Sequence, residues 1–233
     1  MGRAALFAVI ASAALPLGAW IGAWRPPSRA VTAALLAFAS GALLTAVAFE
    51  LFEDAFRQAA WPAGIAFFAG ATVFIVVDTW LDRRTERRSA AGAAVGFALL
   101  VAVTLDGVPE NLAMGVALIE GSSPTLLVAI FASNFPEAIV GSERMREAGL
   151  DRTRILAIWT VTAVLLAAAV VAGYGALKGL SDDALAWPLG FAAGAVLASL
   201  ADTLMPEAYE AGGPWVAYFT ALGFLLSFLI SAA

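Results

Sequence analysis

The chain has 233 residues, of which 62% are hydrophobic and 13% are charged, and its formal net charge is −5. Soluble domains are about half apolar and a quarter charged, so this composition indicates a polytopic membrane protein. The chain contains no cysteine and no histidine, which excludes disulfides, thiolate metal sites and imidazole-based zinc sites. Its arginines stand in loops without interleaved aromatic residues, so no nucleic-acid partner is expected.

Eight apolar segments follow one another along the chain, and each is long enough to cross a hydrocarbon core of about 30 Å as a helix. They cover residues 4–24, 31–52, 61–81, 91–119, 124–142, 155–179, 185–206 and 214–232. The connections are short and rich in Gly, Pro and Ser, so neighbouring helices are predicted to be antiparallel. The first segment also has features of a signal peptide, but its apolar run reaches about 20 residues and predicts an uncleaved helix. The sequence therefore predicts one all-α membrane domain over residues 1–233.

The basic residues predict the orientation in the membrane. Of the 13 Lys and Arg residues, two lie in the loop after the first segment, four after the third and four after the fifth. Loops rich in Lys and Arg face the cytoplasm, so these ten residues place both termini outside. The alanine content and the short loops favour a bacterial inner membrane, whose lipid bilayer surrounds the helices. The sequence leaves a homodimer open.

An internal repeat relates the second and seventh segments. Residues 38–45 (FASGALLT) match residues 191–198 (FAAGAVLA), and the similarity continues from 51–56 to 204–209. In the predicted orientation the second segment runs outward and the seventh runs inward. Similarity between antiparallel elements is typical of transporters with inverted repeats, whose binding site lies near the membrane midplane.

The fourth and fifth segments carry twin Pro-Glu motifs, DGVPEN at 106–111 and SNFPEA at 133–138. A carboxylate deep in a membrane is costly, so it is a candidate for a functional site. Each proline removes one backbone donor, frees a carbonyl one turn earlier and predicts a break in its helix. Two broken helices that offer carboxylates and free carbonyls could form an ion site inside a membrane.

Side-chain spacing brings the oxygen ligands of these motifs onto common faces. Asp106 and Glu110 are four residues apart and share one helix face, and Asn134 and Glu137 share another. Oxygen ligands suit hard divalent cations such as Mg²⁺ or Mn²⁺. The deeper acidic residues of the second and seventh segments are candidates for the cation path. The predicted metal-binding residues are Asp106, Glu110, Asn111, Ser133, Asn134, Glu137, Asp202 and Glu50.

The residues alone leave other roles open. Protonated carboxylates could hold helices together through hydrogen bonds. Two carboxylates could also activate water in an intramembrane hydrolase, although the quasi-symmetric motifs do not supply the unlike acid and base that such catalysis needs. For Glu53, Asp54 and Glu207, solvation at the membrane interface is an equal alternative.

The two Pro-Glu motifs, together with residues 191–195 and 202–208 of the seventh segment, resemble the ZIP family of divalent-metal transporters. The helix-4 motif of this family is usually written His-Asn-x-Pro-Glu-Gly. Here Asp106 takes the position of its His, Gly107 that of its Asn, and Asn111 that of its Gly. Ser133 and Asn134 fall where the family commonly has His, Gln, Glu or Asp on helix 5.

This resemblance implies eight helices in a 3+2+3 inverted repeat, with both termini outside and a metal site on helices 4 and 5. It further implies that helices 1, 4, 5 and 6 move against helices 2, 3, 7 and 8. The implied function is transport of a divalent cation, without enzymatic activity or a resident cofactor. Because histidine is absent and Gly107 removes a bridging ligand, Zn²⁺, Mn²⁺, Fe²⁺ and Mg²⁺ all stay open as cargo. A transport-inactive ZIP-like sensor or assembly protein is the alternative.

The predicted topology can be tested with single cysteines. Arg87→Cys should react with an impermeant thiol reagent only from the cytoplasmic side, and Ser122→Cys only from the outside, because the loops alternate between the two faces. Reaction of both cysteines from the same side would contradict the eight-helix topology.

Overall fold

The computed structural model describes residues 1–86, 104, 107–119, 121 and 124–232. Within these ranges seven helices are long and apolar enough to cross a membrane, and an eighth apolar helix is shorter. In chain order they are α1 (Gly2–Trp24), α2 (Arg29–Gln58), α3 (Ala60–Glu86), α4 (Gly107–Ile119), α5 (Pro124–Glu147), α6 (Arg152–Leu177), α7 (Asp182–Gly212) and α8 (Pro214–Ser231). No strand occurs in the described part of the chain. The prediction of an all-α, polytopic integral membrane protein is confirmed.

Helix ends are marked by local signals. The carboxylate of Asp151 accepts a hydrogen bond from the backbone nitrogen of Arg154 at 3.0 Å, which caps the start of α6. Gly149, with φ of +88°, follows the end of α5, and Gly213, with φ of +75°, ends α7. These positive φ angles favour glycine, so the sequence fixes the two turns.

Several helix boundaries differ from those predicted. The second helix continues to Gln58 rather than 52, and the seventh continues to Gly212 rather than 206. A π-helical turn lies inside each, at Val47–Phe52 and Leu200–Leu204. Of the fourth predicted segment, positions 91–103, 105 and 106 lie outside the described residues, as do Arg87 and Ser122.

The break predicted at Pro136 is wrong, because α5 runs through this residue without interruption. A proline removes a single hydrogen bond from the helical ladder, and the turns on either side are held by packing against neighbouring helices. The predicted break in the fourth segment involves residues that the structure does not describe.

Two pairs of parallel helices, α2 with α8 and α3 with α7, approach backbone to backbone at glycines. At each of four glycines an added β-carbon would lie within 2.0 Å of a carbonyl oxygen on the partner helix. Such close approach is how membrane helices gain packing energy. The four contacts are Gly41 with Thr220, Gly194 with Phe67, Gly70 with Phe191, and Gly223 with Phe38.

Equivalent glycines of the two helix pairs are separated by a constant number of residues along the chain. Gly41 and Gly194 differ by 153 in residue number, and so do Gly70 and Gly223. The π-helical turns of α2 and α7, which begin at Val47 and Leu200, have the same offset. The start of α2 packs against the end of α7, so these two helices are antiparallel. The pair of α2 and α8 therefore packs like the pair of α7 and α3, and the offset is that of the sequence match between 38–45 and 191–198.

Hydroxyl groups reinforce the contact between α2 and α8. Thr45 Oγ1 donates to the carbonyl of Phe224 at 3.1 Å, and Ser227 Oγ donates to the carbonyl of Ala42 at 3.1 Å. These interhelical bonds satisfy polar groups that have no water available in the bilayer core.

A second group of helices is formed by α1, α4, α5 and α6. Parallel α1 and α5 meet where Gly18 and Gly22 contact the carbonyl groups of Phe135 and Ile139. Parallel α4 and α6 meet through Gly115 and Gly173, which contact Val170 and Leu112. Helix α1 also packs against α6, and α5 packs against α2 of the other group. The Pro-Glu motifs lie on α4 and α5, within this second group.

The glycine contacts predict a marked effect of small substitutions. Gly41→Ala and Gly194→Ala should each lower stability by about 1–3 kcal/mol, because a methyl group would push two backbones apart. The measurement is the temperature at which detergent-solubilised protein loses its monodisperse elution peak.

Gly64→Ala on α3 is the matched control, since nothing lies within 4 Å of its added β-carbon. It should be neutral or stabilising by up to about 1 kcal/mol, because alanine favours helix more than glycine does. Equal effects of the three substitutions would contradict the close packing.

Candidate metal site

On α4 the two polar residues of the motif are buried. The side chain of Glu110 is 4% exposed and that of Asn111 is 0% exposed. Asn111 Nδ2 donates to the carbonyl of Gly107 at 2.8 Å, whereas its Oδ1 has no hydrogen-bond partner among the described residues. A buried oxygen without a donor costs about 1–3 kcal/mol. A bound cation would offset this cost.

On α5 the corresponding polar residues are buried as well. Ser133 Oγ donates to the carbonyl of Ile130 at 3.1 Å, which leaves its lone pairs available. Asn134 is 1% exposed, and its Nδ2 has no partner in the described part of the chain. Because an amide group turned by 180° occupies the same space, Asn134 can present either nitrogen or oxygen at this point. Glu137 is half-buried one turn further along the helix.

The two motifs lie in the same region of the bundle. Val108, just before Pro109, packs against an apolar cluster that contains Ala138, the residue after Glu137. Leu166 of α6 belongs to this cluster and faces Gly107. The sequence Gly-Val-Pro-Glu-Asn of α4 therefore lies beside the same group of α1, α5 and α6 side chains as the motif of α5.

The predicted trio of carboxylates includes Asp106, which lies outside the described residues. Within the ranges that the structure describes, no three His, Cys, Asp or Glu side chains come together as a metal-binding group. The joint site of Asp106, Glu110 and Glu137 therefore stays a prediction, whereas the burial of Glu110, Asn111, Ser133 and Asn134 is observed.

The two deeper acidic candidates lie in the π-helical turns. Glu50 is in the turn of α2, where its Oε1 accepts a hydrogen bond from Ser231 Oγ of α8 at 2.6 Å. Asp202 is in the corresponding turn of α7, and its side chain is exposed. Both residues thus belong to the group of α2, α3, α7 and α8. π-helical turns occur frequently at functional sites, and their equivalent positions here were not predicted from the sequence.

One polar contact between helices was missed by sequence analysis. Arg144 at the end of α5 forms an ion pair with Glu207 of α7. For Glu207, solvation at the membrane interface was one expectation. The two residues are 63 positions apart, so no local pattern links them. They line a cavity of about 290 Å³ between the ends of α2, α5 and α7.

No family model matches the chain, and the search of curated proteins finds no match. The resemblance to the ZIP family therefore rests on the residues of the motifs.

A substitution of Asn134 tests whether its buried amide stabilises the fold or binds a metal ion. Asn134→Leu keeps the branched shape of the side chain but removes an unpaired polar group, so the metal-free protein should be as stable as wild type or more stable. The stabilisation by added Mn²⁺ should fall, because a ligand is lost. Both effects are read from thermal unfolding in detergent with and without MnCl₂.

Ser40→Ala is the comparison, since this buried hydroxyl of α2 bonds to its own helix at the carbonyl of Leu36 and lies outside the candidate site, so the stabilisation by Mn²⁺ should stay unchanged. A loss of more than about 2 kcal/mol in metal-free Asn134→Leu would indicate a structural role for the amide instead.

Proposed function

We propose that this protein transports a divalent metal cation across a membrane in the manner of the ZIP family, through a site on α4 and α5. The observation that carries the proposal is the pair of Pro-Glu motifs whose amides are buried with a polar atom unpaired among the described residues. Polar atoms are left unpaired in a protein interior only rarely. Eight buried side-chain polar atoms have no partner among the described residues, and two of them belong to the twin motifs, each within three residues of a glutamate, which favours a binding site for an ion.

The chemistry of the side chains favours a cation. Glu110 and Glu137 supply carboxylate oxygens, and Asn111, Asn134 and Ser133 supply neutral oxygens. Together with Asp106 this set contains only oxygen, which suits Mg²⁺ or Mn²⁺ and is compatible with Fe²⁺ and Zn²⁺. Without a cation or protons, three carboxylates in a medium of low dielectric constant would repel one another strongly.

The helix packing supports transport in preference to static binding. The proposed architecture has eight helices, with α1–α3 and α6–α8 as inverted repeats and α4 and α5 between them. The offset of 153 residues in the contacts of α2 with α8 and α7 with α3 supports such a repeat. Repeats of this kind allow one group of helices to expose a midplane site alternately to the two sides. Here α1, α4, α5 and α6 would move against α2, α3, α7 and α8.

Uptake of Mn²⁺ into liposomes that contain the purified protein tests the proposal. Glu110→Gln and Glu137→Gln should each lower the initial rate at least about tenfold, because each substitution removes a charged ligand. In the same assay Asp106→His should favour Zn²⁺ over Mn²⁺, since imidazole suits zinc better than carboxylate does.

Asp183→Asn, at an exposed position near the start of α7, is the matched control and should transport at the wild-type rate. Uptake that is insensitive to both glutamate substitutions would rule out the site. Absence of uptake by wild-type protein, combined with hydrolysis of a peptide or lipid that Asp106→Asn abolishes, would establish an enzyme instead.

A further inference from the structure

Acidic and basic side chains together line the cavity between the ends of α2, α5 and α7. Its volume is about 290 Å³, and four carboxylates line it together with two guanidinium groups. It lies on the side where α2 begins and α5 and α7 end, which is the predicted cytoplasmic side. Its charged residues are Glu143, Glu147, Glu207, Glu210, Arg29 and Arg144.

One face of α5 connects this cavity with the candidate metal site. Glu137, Val140 and Arg144 are spaced by three and four residues, so they lie along the same face of the helix. Val140 and Arg144 line the cavity. Glu137 is thus one turn deeper than the cavity wall, and a cation that leaves Glu137 along α5 would pass through the cavity.

The ion pair between Arg144 and Glu207 lines the cavity on this route and links the two groups of helices, since Arg144 is on α5 and Glu207 is on α7. The side chain of Arg144 is 55% exposed and that of Glu207 is 20% exposed. Ion pairs with this much exposure are weak and are screened by water and salt. Arg144 can therefore be replaced on Glu207 by a cation of higher charge.

A neutral hydroxyl group lies beside the charged side chains of the cavity. Thr32 of α2 lines the cavity, its side chain is 7% exposed, and its Oγ1 has no hydrogen-bond partner among the described residues. Carboxylate oxygens around one cavity, with a hydroxyl beside them, are ligands that a hard divalent cation accepts.

We propose that the Arg144–Glu207 ion pair is a displaceable latch at the inner mouth of the cation path. A divalent cation that enters the cavity takes the place of the Arg144 guanidinium on the Glu207 carboxylate, and this exchange releases α5 from α7. The proposal rests on the proposed transport function for its cargo, but the latch itself can be measured without metal.

The chain has no cysteine, so a single introduced thiol can report on the latch. Leu36 lines the cavity and is 0% exposed, and Leu36→Cys should therefore react slowly with an impermeant maleimide while the latch is closed. In this background Arg144→Gln and Glu207→Gln should each raise the reaction rate by up to about fivefold, the ratio that corresponds to about 1 kcal/mol. The charge swap Arg144→Glu with Glu207→Arg should restore the slow rate.

Two comparisons identify the cause of any change. Arg154→Gln breaks the exposed ion pair with Asp151, which lies on the same side of the bundle, and should leave the rate unchanged. MnCl₂ should raise the rate when the ion pair is intact and have no effect in Glu207→Gln.

Unchanged rates in both single variants, or a charge swap that reacts as fast as they do, would overturn the latch. If the charge swap restores the slow reaction of Leu36→Cys but MnCl₂ does not raise the rate when the ion pair is intact, displacement of Arg144 by a cation would be overturned. Failure of the proposed function would look different, because Mn²⁺ uptake would then be absent from the wild-type protein while the metal-free rates still reported the ion pair.

Discussion

Backbone contact between parallel helices is the constraint on which the rest of this structure depends. Lipid tails are as apolar as leucine, so helices in a membrane are held by close packing and hydrogen bonds rather than by hydrophobic burial. Glycines at the crossing points, such as Gly41, Gly194 and Gly22, allow the backbones to meet. The pairs joined in this way are tightly interlocked. Between the two groups of helices, α5 packs against α2, and Arg144 of α5 also forms an ion pair with Glu207 of α7.

Much of the fold could be predicted from the sequence because the length and apolar composition of each segment indicate a helix that crosses the membrane. The match of residues 38–45 with 191–198 placed Gly41 and Gly194 at equivalent positions, and the structure gives them equivalent contacts. Helix ends were harder to predict. The last turns of α2 and α7 contain Glu53, Asp54 and Glu210, which lower hydropathy, while glutamate and alanine still favour a helix.

The site could be predicted only in part. Burial of Glu110 and Asn134 agrees with their place in apolar segments, and the role of Asp106 as a metal ligand remains a prediction. The ion pair of Arg144 with Glu207 could not be foreseen, because each residue alone is typical of a membrane interface and their meeting depends on how the ends of α5 and α7 both pack against α2. Hydropathy also gave no indication that α5 continues through Pro136, since this depends on support from neighbouring helices.

The pairing of helices has a consequence for how the chain is assembled as it leaves the ribosome. The hydroxyl of Ser227 on α8 bonds to Ala42 on α2 across 185 positions, and α3 likewise finds its partner in α7. During synthesis α2 and α3 enter the bilayer long before these partners exist, with their glycine faces turned to lipid. Insertion and packing are therefore separate stages for this protein, and the packing of α2 and α3 is complete only after α7 and α8 have been made.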